Sequence, residues 1–584
     1  MKKNIDTNKS SVFTWKIGGT AGGGQQIAGL IFNKACVRGG LYTCDGSEYP
    51  SRIRGGLVTN QIGVAAEPVT AIYRKTQLFI GLVREAFDYC LPNMAADGVI
   101  LYDSDKFEIK PGEAGQIKVY PLPLEKLSAE AGIKPLAANI IVTGASVALL
   151  DYDLDLLIEV ITDTFADKGQ EIVDMNITAA KFGYDYAKKN LNPDDFPYSL
   201  KVKNKTDKSV IITCNDALSL GAVAADCKFL AAYPMTPASS VLHDLAAWDE
   251  KTGMVVKHAE DEISAINMAI GASFAGVRSM TTTAGGGFAL MAEALSLAAM
   301  TETPLVINVS QRPAPATGLP TWTEQADLAF VAHAGHGEFL RVVLAPSDPA
   351  DTFALTVAAF NLADRWQIPV FILLDKYLSE GHQSIVEPDL SQVKIDRGQI
   401  LSAADLEKIT GYKRYMFTAD GVSPRALPGT KGGVHLANSD EHDEFGLTIE
   451  GVTPDIRKKM VEKRAAKLDG IIKELPQPEL FGPKTAKLTL IGWGSIKGVV
   501  LEALKTLKDV NYLHVSAPWP LDCGVMTTAL KGVKKLICIE NNHDGQLANT
   551  LGELCNIKVD GRLNKYDGSQ FYPEEIVELV SKLK

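Results

Sequence analysis

The chain contains 584 residues, of which 46% are hydrophobic and 22% are charged. This composition is typical of a soluble globular protein and excludes a disordered chain, and the length suffices for about three to five domains. The 59 lysines and arginines are outnumbered by 70 aspartates and glutamates, which gives a net charge of −11. Because this balance argues against a nucleic-acid scaffold, we expect no nucleic-acid partner.

The first residues and the cysteines indicate the compartment. Met1–Ser11 is polar and lacks the apolar stretch of a signal peptide, and no run approaches the ~18 apolar residues of a membrane-spanning helix. We therefore expect a cytoplasmic protein with no membrane partner. No Cys-x-x-Cys motif is present, so we expect reduced, packed thiols and no metal or iron–sulfur cluster held by this chain alone. The cysteines stand at positions 36, 44, 90, 214, 227, 523, 538 and 555.

Three parts of the chain alternate apolar, β-rich runs with segments of helical periodicity. The first begins with a strand at Val12–Ile17, a glycine-rich turn and a helix at Gln25–Val37, and it continues through the apolar run Asn139–Thr143. The predicted fold class is α/β, with three doubly wound parallel-sheet units and an irregular linker. We place the three units at residues 1–200, 208–390 and 481–584, and the linker at residues 391–480.

The second unit shows the alternation of strands and helices most clearly, and the third begins with the strand candidate Lys487–Gly492. Charged residues predict a helix at Asp455–Leu475, at the end of the linker. The strands predicted in the second unit are Phe229–Tyr233, Val277–Thr283, Pro304–Val309, Arg341–Leu344 and Pro369–Leu374.

Two glycine-rich segments near the N-terminus are candidates for an anion site. In Gly18–Gly24 a strand, glycines and a helix follow one another, which places backbone N–H groups where phosphate binds well. A tight turn without a ligand is the other interpretation. Arg52 and Arg54 precede a second glycine pair and suit an anionic ligand or a solvated turn. We select Gly22, Gly23, Gly24 and Arg54 as candidate cofactor-binding residues.

The segment Tyr233-Pro-Met-Thr-Pro-Ala-Ser-Ser240 follows a predicted strand. Its two prolines favour a rigid, extended loop that presents the hydroxyls of Thr236 and Ser239 at the carboxyl end of a parallel sheet. Ligands bind at this end in α/β folds. The alternative is that the hydroxyls only cap a helix that starts near Ser239.

A carboxylate and an arginine are the other candidates in the second unit. Glu262 begins a predicted helix of small residues, where it is either a partly desolvated carboxylate or an exposed first-turn acid. Thr281–Gly287 is a further strand–glycine–helix junction. Arg312 stands in a Pro- and Gly-rich loop after a strand, which suits bidentate recognition of a carboxylate or a surface salt bridge.

These motifs together resemble the α subunit of 2-oxoacid:ferredoxin oxidoreductases, in the form with a γ domain fused ahead of it. Gly18–Gln26 and Ser51–Gly56 look like the opening loop and the Arg-Gly-Gly motif of the γ domain. Tyr233–Ser240 is similar to the family signature Tyr-Pro-Ile-Thr-Pro-Ser-Ser, with Met235 and Ala238 as departures. The other motifs that resemble the family are Gly421–Gly429, Glu441–Gly446, Pro518–Pro520 and Glu540–Leu547.

The resemblance implies a different role for each part of the chain. Residues 1–200 would form the γ-type domain, 208–390 a pyrimidine-binding domain for thiamine diphosphate, and 481–584 a domain like the C-terminal domain of transketolase. By its spacing to Gly271, Glu262 matches the glutamate that hydrogen-bonds the aminopyrimidine ring of this cofactor. Thr236 and Arg312 match positions that hold the carboxylate and keto group of the substrate, and we add Ser239 to this substrate-binding set.

The resemblance further implies oxidative decarboxylation of a 2-oxoacid, transfer of the acyl group to coenzyme A and transfer of electrons to ferredoxin. The chain lacks a Gly-Asp-Gly…Asn segment and cluster-ligating cysteines. In the family, magnesium, the diphosphate site and the [4Fe-4S] cluster belong to a β subunit, so we expect an α2β2 complex and an inactive isolated chain.

We favour 2-oxoglutarate, converted to succinyl-CoA, as the substrate. Pyruvate, branched-chain or aryl-pyruvate substrates and a non-catalytic α/β binding subunit are the alternatives. A distal carboxylate would need a cation, and Arg425 and Lys431 are the candidates in the linker.

Overall fold

The structure is a computed structural model that describes residues 3–4, 12–51, 55–134, 137–192, 196–202, 208–448 and 453–583. Within these ranges, no helix is both long and apolar enough to cross a membrane. Arg54 lies outside the described residues, so its cofactor-binding role stays a prediction.

The N-terminal part of the chain consists of strands and of helices that cover them. Its strands are β1 (Lys3–Asn4), β2 (Phe13–Thr20), β3 (Tyr42–Glu48), β4 (Leu57–Ala65), β5 (Thr76–Gly81), β6 (Met94–Asp103), β7 (Lys118–Leu122) and β8 (Tyr198–Ser199). Its helices are α1 (Gln25–Arg38), α2 (Arg84–Cys90), α3 (Leu124–Glu130), α4 (Ala138–Leu149), α5 (Leu154–Phe165) and α6 (Gln170–Asn190).

Aromatic and apolar burial holds these helices on the sheet. Trp15 of β2 stacks on Phe32 of α1 with ring centroids 4.9 Å apart, and both rings are fully buried. The apolar run Asn139–Thr143, which we counted among the β-rich runs, lies in α4. There it is buried against α6, because Gly144 and Gly183 let the two helix backbones come close together.

The middle part of the chain alternates strands and helices as predicted. Its strands are β9 (Ser209–Ile212), β10 (Cys227–Ala232), β11 (Val255–His258), β12 (Arg278–Thr283), β13 (Leu305–Gln311), β14 (Val342–Leu344), β15 (Pro369–Asp375) and β16 (Gln383–Val386). Its helices are α7 (Cys214–Ala224), α8 (Ser239–Thr252), α9 (Glu262–Phe274), α10 (Gly285–Met300), α11 (Leu328–His333), α12 (Pro349–Trp366) and α13 (Lys376–Glu380).

The last two parts are the irregular linker and a C-terminal α/β unit. The linker elements are β17 (Ile400–Leu401), α14 (Ala403–Leu406), β18 (Arg425–Ala426), α15 (Pro454–Ala466) and α16 (Leu468–Glu474). The C-terminal elements are β19 (Glu479–Phe481), β20 (Leu488–Gly492), α17 (Ile496–Leu504), β21 (Val510–His514), α18 (Cys523–Ala529), β22 (Leu536–Glu540), α19 (Gln546–Cys555), β23 (Gly561–Asn564) and α20 (Pro573–Leu583).

Three main sheets organise the molecule and confirm the α/β class. The middle sheet has the order β11-β10-β12-β13-β15-β14 and is parallel throughout. The C-terminal sheet, β19-β21-β20-β22-β23, is parallel except for its edge strand β19. The N-terminal sheet, β7-β6-β5-β2-β4-β3-β16-β9, is parallel only from β7 to β2 and antiparallel beyond it, unlike the predicted parallel unit.

The N-terminal sheet also takes in strands from the middle part of the chain. β9 and β16 pair with each other, and Gln383 of β16 pairs with Cys44 of β3. The two strands lie immediately before and after the segments that build the middle sheet. Backbone hydrogen bonding therefore joins two strands of the second unit to the edge of the N-terminal sheet.

A buried ion cluster attaches the linker to the middle unit. Glu302, at the end of α10, receives Lys463 on one carboxylate oxygen at 2.5 Å and Lys467 on the other at 2.6 Å. Arg414 donates to the Glu302 carbonyl oxygen at 2.9 Å. Because all these side chains are buried, each charge depends on the others for compensation.

The cysteines differ from the sequence prediction at one place. Cys523 at the start of α18 and Cys555 at the end of α19 form a disulfide, so the expectation of reduced thiols is wrong for this pair. The two positions are 32 residues apart in sequence, and only the packing of α18 on α19 brings them together. The remaining cysteines are free and buried, as expected.

Candidate active site

Three loops meet at the carboxyl edge of the middle sheet. They follow β10, β12 and β13, which are neighbours in this sheet, and they contain the Tyr233–Ser240 segment, the glycine turn after Thr283 and the Arg312 loop. Because the strands are parallel and adjacent, their carboxyl ends bring these loops to one place. This edge holds the sequence-predicted residues of the second unit.

Glu262 lies in this site as a buried carboxylate. It is the first residue of α9, and the N-cap is Asp261, whose side chain accepts a hydrogen bond from the Ser264 N–H at 2.7 Å. Glu262 is only 3% exposed, whereas Glu260 beside it is exposed. The alternative of an exposed first-turn acid is therefore wrong for Glu262.

The glycine turn makes room for this carboxylate. Gly287 lies in the first turn of α10, and a Cβ atom there would be 2.5 Å from Oε1 of Glu262 and would also collide with Thr283. A side chain at this position would force Thr283 or Glu262 to move. The Thr281–Gly287 junction, to which the sequence assigned no role, thus shapes the glutamate site.

The glutamate fits a ligand that donates a hydrogen bond. Oε1 of Glu262 is buried and has no hydrogen-bond partner among the described residues. A buried acceptor without a partner is costly, and a ring nitrogen carrying a proton would satisfy it. The aminopyrimidine ring of thiamine diphosphate offers such a nitrogen, so the residues present fit this cofactor.

Thr236 and Arg312 contact each other directly. Nη1 of Arg312 donates to the backbone carbonyl of Thr236 at 2.7 Å, which ties the loop after β13 to the loop after β10. Among the described residues Arg312 forms no ion pair, so the alternative of a surface salt bridge is wrong for this arginine. Burial lowers the pKa of this guanidinium, and Asp327 counteracts the shift.

The hydroxyls of the Tyr233–Ser240 loop do not cap α8. The N-cap of this helix is Ala238, which provides no side-chain cap, so the capping alternative is wrong. Thr236 and Ser239 are both partly exposed. Asn215 supports the loop from below by donating to the Pro237 carbonyl and to Oγ of Ser240, both at 2.8 Å.

Asp327 and Glu324 belong to the site, although the sequence analysis did not select them. Burial raises the pKa of Asp327 to about 6, against the opposing effect of Arg312. Burial also raises the pKa of Glu324 to about 7. The only signal in the sequence was the presence of two acids soon after the Arg312 loop, a pattern that surface segments share.

Gln325, between these two acids, joins the site to the C-terminal unit. It donates to the Trp493 carbonyl at 3.0 Å and exchanges hydrogen bonds with the backbone of Asn541 at 2.7 and 3.1 Å. Asn542 donates to the Gln325 carbonyl at 3.0 Å. The motif at Glu540–Leu547 therefore anchors the loop that carries Glu324 and Asp327.

The N-terminal glycine loop lies at a separate cleft of about 740 Å³. Gly22 and Gly24 adopt left-handed φ angles of 87° and 80°, and Gly24 is the N-cap of α1. Asn139 of α4 donates to the Gly23 carbonyl from the side away from this cleft. Other residues lining the cleft are Gln26, Tyr49, Glu380 and His382.

The two linker cations both form ion pairs. Arg425 is buried and pairs with Asp364 at 2.6 Å, so it is not free to bind a substrate carboxylate. Lys431 is exposed and lies 3.7 Å from Glu407. Arg425 is therefore not a candidate for the distal carboxylate of the substrate, whereas the role of Lys431 stays a prediction.

Comparison with known proteins identifies the family. Residues 220–461 match the thiamine-diphosphate-binding family of pyruvate flavodoxin/ferredoxin oxidoreductases, and residues 14–186 match the pyruvate ferredoxin/flavodoxin oxidoreductase family. The chain is 31% identical to the 2-oxoacid:ferredoxin oxidoreductase α subunit of a Sulfolobus species, over 98% of this chain and 96% of that protein. The chain belongs to the 2-oxoacid:ferredoxin oxidoreductase α-subunit family.

Other members of this family extend the match. The 2-oxoglutarate oxidoreductase subunit KorA of Mycobacterium tuberculosis is 29% identical over 97% of this chain and 90% of its own length. A 2-oxoglutarate:ferredoxin oxidoreductase from Magnetococcus marinus, solved with 2-oxoglutarate, coenzyme A and succinyl-CoA bound, has the same fold. It matches with a TM-score of 0.92 and 31% identity, over 98% of this chain and all of that chain.

Membership in the family confirms several predictions. The chain is a subunit of an oxidoreductase and not a non-catalytic binding subunit, and it contains a thiamine-diphosphate-binding domain. The matched range of that domain includes Thr236, Glu262 and Arg312.

Proposed function

We propose that this chain is the α subunit of an enzyme that converts 2-oxoglutarate and coenzyme A into succinyl-CoA and carbon dioxide and transfers two electrons to ferredoxin. The observation that carries the proposal is the buried Oε1 of Glu262, which has no hydrogen-bond partner among the described residues and lies at the same sheet edge as the Thr236–Arg312 contact. The carboxylate follows β11 and the guanidinium follows β13, so both lie at the carboxyl edge of one sheet.

Glu262 would bind the aminopyrimidine ring of thiamine diphosphate through Oε1. When bound, this cofactor supplies an acidic ring carbon that becomes the nucleophile toward the keto group of a 2-oxoacid. The role of Glu262 is to exchange a proton with the ring nitrogen. This exchange is favoured because the carboxylate is buried and its Oε1 has no other hydrogen-bond partner among the described residues. Gly287 keeps the carboxylate at that position.

Arg312, Thr236 and Ser239 would bind the 2-oxoacid. The contact with the Thr236 carbonyl uses Nη1 of Arg312, which leaves the other guanidinium donors for the substrate carboxylate. The hydroxyls of Thr236 and Ser239 are partly exposed on the same loop and can donate to the carboxylate or the keto oxygen. Arg312 also stabilises negative charge that develops on the substrate during the reaction.

Coenzyme A would occupy the cleft of about 740 Å³ at the N-terminal glycine loop. The free N–H groups at the start of α1 and the left-handed Gly22 and Gly24 form a surface on which a phosphate can approach the backbone closely. We assign Gly22 and Gly24, which line this cleft, to the site together with Gly23 between them. Arg54 lies outside the described residues, and its cofactor-binding role is proposed from the sequence alone.

A β subunit would complete the enzyme in an α2β2 complex. Large apolar side chains are exposed on α9 and α10, where Ile263, the residue after Glu262, is 51% exposed and Leu290 is 52% exposed. Exposed apolar residues beside an incomplete cofactor site are typical of a subunit interface. We assign magnesium, the diphosphate site and the [4Fe-4S] cluster to the β subunit. We place the complex in the cytoplasm, where it would reduce ferredoxin.

The proposal is tested by purifying the chain together with its genomic neighbour. We expect a brown iron–sulfur chromophore and coenzyme A-dependent reduction of viologen. In a panel of 2-oxoacids ranked by kcat/KM, 2-oxoglutarate should rank first. A higher rank for pyruvate, branched-chain or aryl-pyruvate substrates would overturn the substrate assignment. A colourless monomer that is indifferent to thiamine diphosphate would overturn the proposed function as a whole.

A further inference from the structure

An aspartate and a histidine lie paired in the cleft at the N-terminal glycine loop. Asp45 of β3 is 2% exposed, and Oδ2 of its carboxylate lies 3.0 Å from Nδ1 of His382. The Asp45 N–H donates to the His382 carbonyl at 2.8 Å, and the His382 N–H donates to Oδ1 of Asp45 at 2.7 Å. Asn33 of α1 donates to Oδ2 at 3.0 Å. These bonds hold the carboxylate in place against the imidazole.

The pairing determines which nitrogen of His382 carries the proton. Because an ionised carboxylate only accepts hydrogen bonds, the neutral imidazole carries its proton on Nδ1, facing Asp45, and Nε2 is left as an acceptor. Nε2 makes no hydrogen bond with the described residues, and both side chains line the cleft. A histidine that a buried aspartate orients in this way, with its second nitrogen available to a ligand, is the arrangement of a general base.

The wall of the cleft beside His382 touches the Arg312 loop. Glu380 is the last residue of α13, which begins directly after β15, the neighbour of β13 in the middle sheet. Oη of Tyr49 donates to the Glu380 carboxylate at 2.8 Å. The Tyr49 carbonyl accepts from Oγ1 of Thr321, in the loop after β13, at 2.6 Å. The cleft therefore borders the loop that carries Arg312.

We propose that His382 is the general base that takes the thiol proton of coenzyme A, and that Asp45 is its positioning residue. The inference rests on the proposed function, which places coenzyme A in this cleft. The S–H bond breaks, the proton passes to Nε2 of His382, and the electron pair stays on sulfur, which bonds to the carbonyl carbon of the succinyl group. Since the two electrons of the oxidation go to ferredoxin, this proton is the one that the overall reaction releases.

The pH dependence of this step has a fixed direction. His382 accepts a proton only when it is neutral, so the rate falls as the pH falls through the pKa of its imidazole, whatever the value of that pKa. Burial by itself would lower the pKa of His382, but Asp45 outweighs it and raises the pKa. Asp216 of α7 acts in the same direction as Asp45, and Lys34 of α1 acts in the opposite one. Glu380 of α13 lines the same cleft.

The experiment compares wild type with His382→Gln and Asp45→Asn in the α–β complex. In wild type, kcat/KM for coenzyme A should rise with pH through the imidazole pKa. His382→Gln should lower kcat/KM about 10²-fold at pH 7 and shift the rise to a pH of about 8.5 or higher, where an unassisted thiol ionises. Asp45→Asn should move the wild-type rise to lower pH, because the charge that favours the imidazolium is gone. His336→Gln, at an exposed histidine, is the control and should match wild type.

A binding measurement separates the base from the binding site. Coenzyme A whose thiol is replaced by hydrogen has no proton to give, so calorimetry should show equal affinity for wild type and His382→Gln. KM for 2-oxoglutarate should also be equal in the two proteins. Loss of affinity for the thiol-free analogue in His382→Gln would assign this residue to binding and overturn its role as a base.

The remaining outcomes distinguish this inference from the proposed function. Turnover of His382→Gln with the kcat/KM and the pH profile of wild type overturns the role as a base alone, and a merely structural pair predicts this result. If His382→Gln does not assemble, Asp45→Asn decides: an unmoved pH profile overturns the role, and a profile moved to lower pH supports it. A wild-type complex that binds neither coenzyme A nor the thiol-free analogue overturns the coenzyme A site and this inference together.

Discussion

Gly287 and Glu262 are 25 positions apart in sequence, yet the carboxylate of Glu262 and the hydroxyl of Thr283 occupy the space that a side chain on Gly287 would need. A Cβ atom on Gly287 would be 2.5 Å from Oε1 of Glu262, closer than real Cβ contacts come. The turn that starts α10 therefore sets the depth at which the carboxylate is buried.

Gly287→Ala should displace the Glu262 carboxylate and reduce activity of the α–β complex at least tenfold, an order-of-magnitude expectation for a misplaced catalytic group. Gly286→Ala is the matched control, because the nearest atom to its Cβ would be the Ala316 carbonyl at 3.8 Å. Viologen reduction with 2-oxoglutarate measures both. Equal activity of the two variants would contradict the role of Gly287.

Glu262→Gln should abolish 2-oxoacid-dependent viologen reduction. The amide keeps the shape of the side chain but exchanges no proton with a bound ring, and such exchange contributes about 10²–10⁴-fold to rates. Glu260→Gln, an exposed neighbour, should leave turnover unchanged. Near-normal turnover of Glu262→Gln would remove Glu262 from the mechanism.

Arg312→Lys should raise KM for the 2-oxoacid about 10–100-fold, because lysine keeps the charge but loses the fork that contacts Thr236 and, in the proposed function, would also bind the substrate carboxylate. Arg365→Lys is the control, since this exposed arginine pairs only with surface acids among the described residues. A rise in KM for both variants, or for neither, would contradict the assignment of substrate binding to Arg312.

Glu302→Gln should destabilise the protein by about 3–5 kcal/mol, because it leaves Lys463 and Lys467 buried without a counter-charge. Glu462→Gln, in an exposed pair with Lys458, should change stability by less than about 1 kcal/mol. Thermal unfolding followed by circular dichroism compares the two variants. Equal midpoints would show that the cluster does not attach the linker.

The same cluster predicts a pH dependence of stability. Burial by itself would raise the pKa of Glu302, but Lys467 and Lys463 outweigh it and hold the pKa well below its usual range. Its stabilisation is therefore present above the unfolded pKa of about 4.3 and is lost as the pH falls below that value. Below that pH, wild type should lose stability relative to Glu302→Gln. Thermal unfolding midpoints of the two proteins measured between pH 6 and 3 test this.

The free cysteines should react slowly in the native protein. Burial raises the pKa of Cys90 to about 11, against the effect of Lys16, and the pKa of Cys44 to about 12, so about 10⁻³ or less of either thiol is ionised at pH 8. Peptide mapping without reductant should find the Cys523–Cys555 link and six alkylated cysteines after unfolding. Rapid alkylation of the native protein, or eight alkylated cysteines, would contradict the structure.

Local sequence was sufficient for much of the site. The loops around Thr236 and Arg312 were predicted at the ends of strands, and the structure places them there, because strand ends and turn residues are encoded within a few positions. The burial of Glu262 was left open, because exposure depends on Gly287 and Thr283 in another loop. Asp327 was missed for the same reason, since nothing near it in sequence marks it as buried.

The sequence by itself determined the α/β class, the family and the loops that build the site, because periodicity, glycine turns and ordered motifs are local. Only the tertiary structure decided which carboxylates are buried, that β9 and β16 join the N-terminal sheet, and that Cys523 pairs with Cys555. These features depend on desolvation and on contacts between residues far apart in the chain. The free energies of desolvation and of these contacts exist only once the helices and strands pack together, so the composition of one segment does not reveal them.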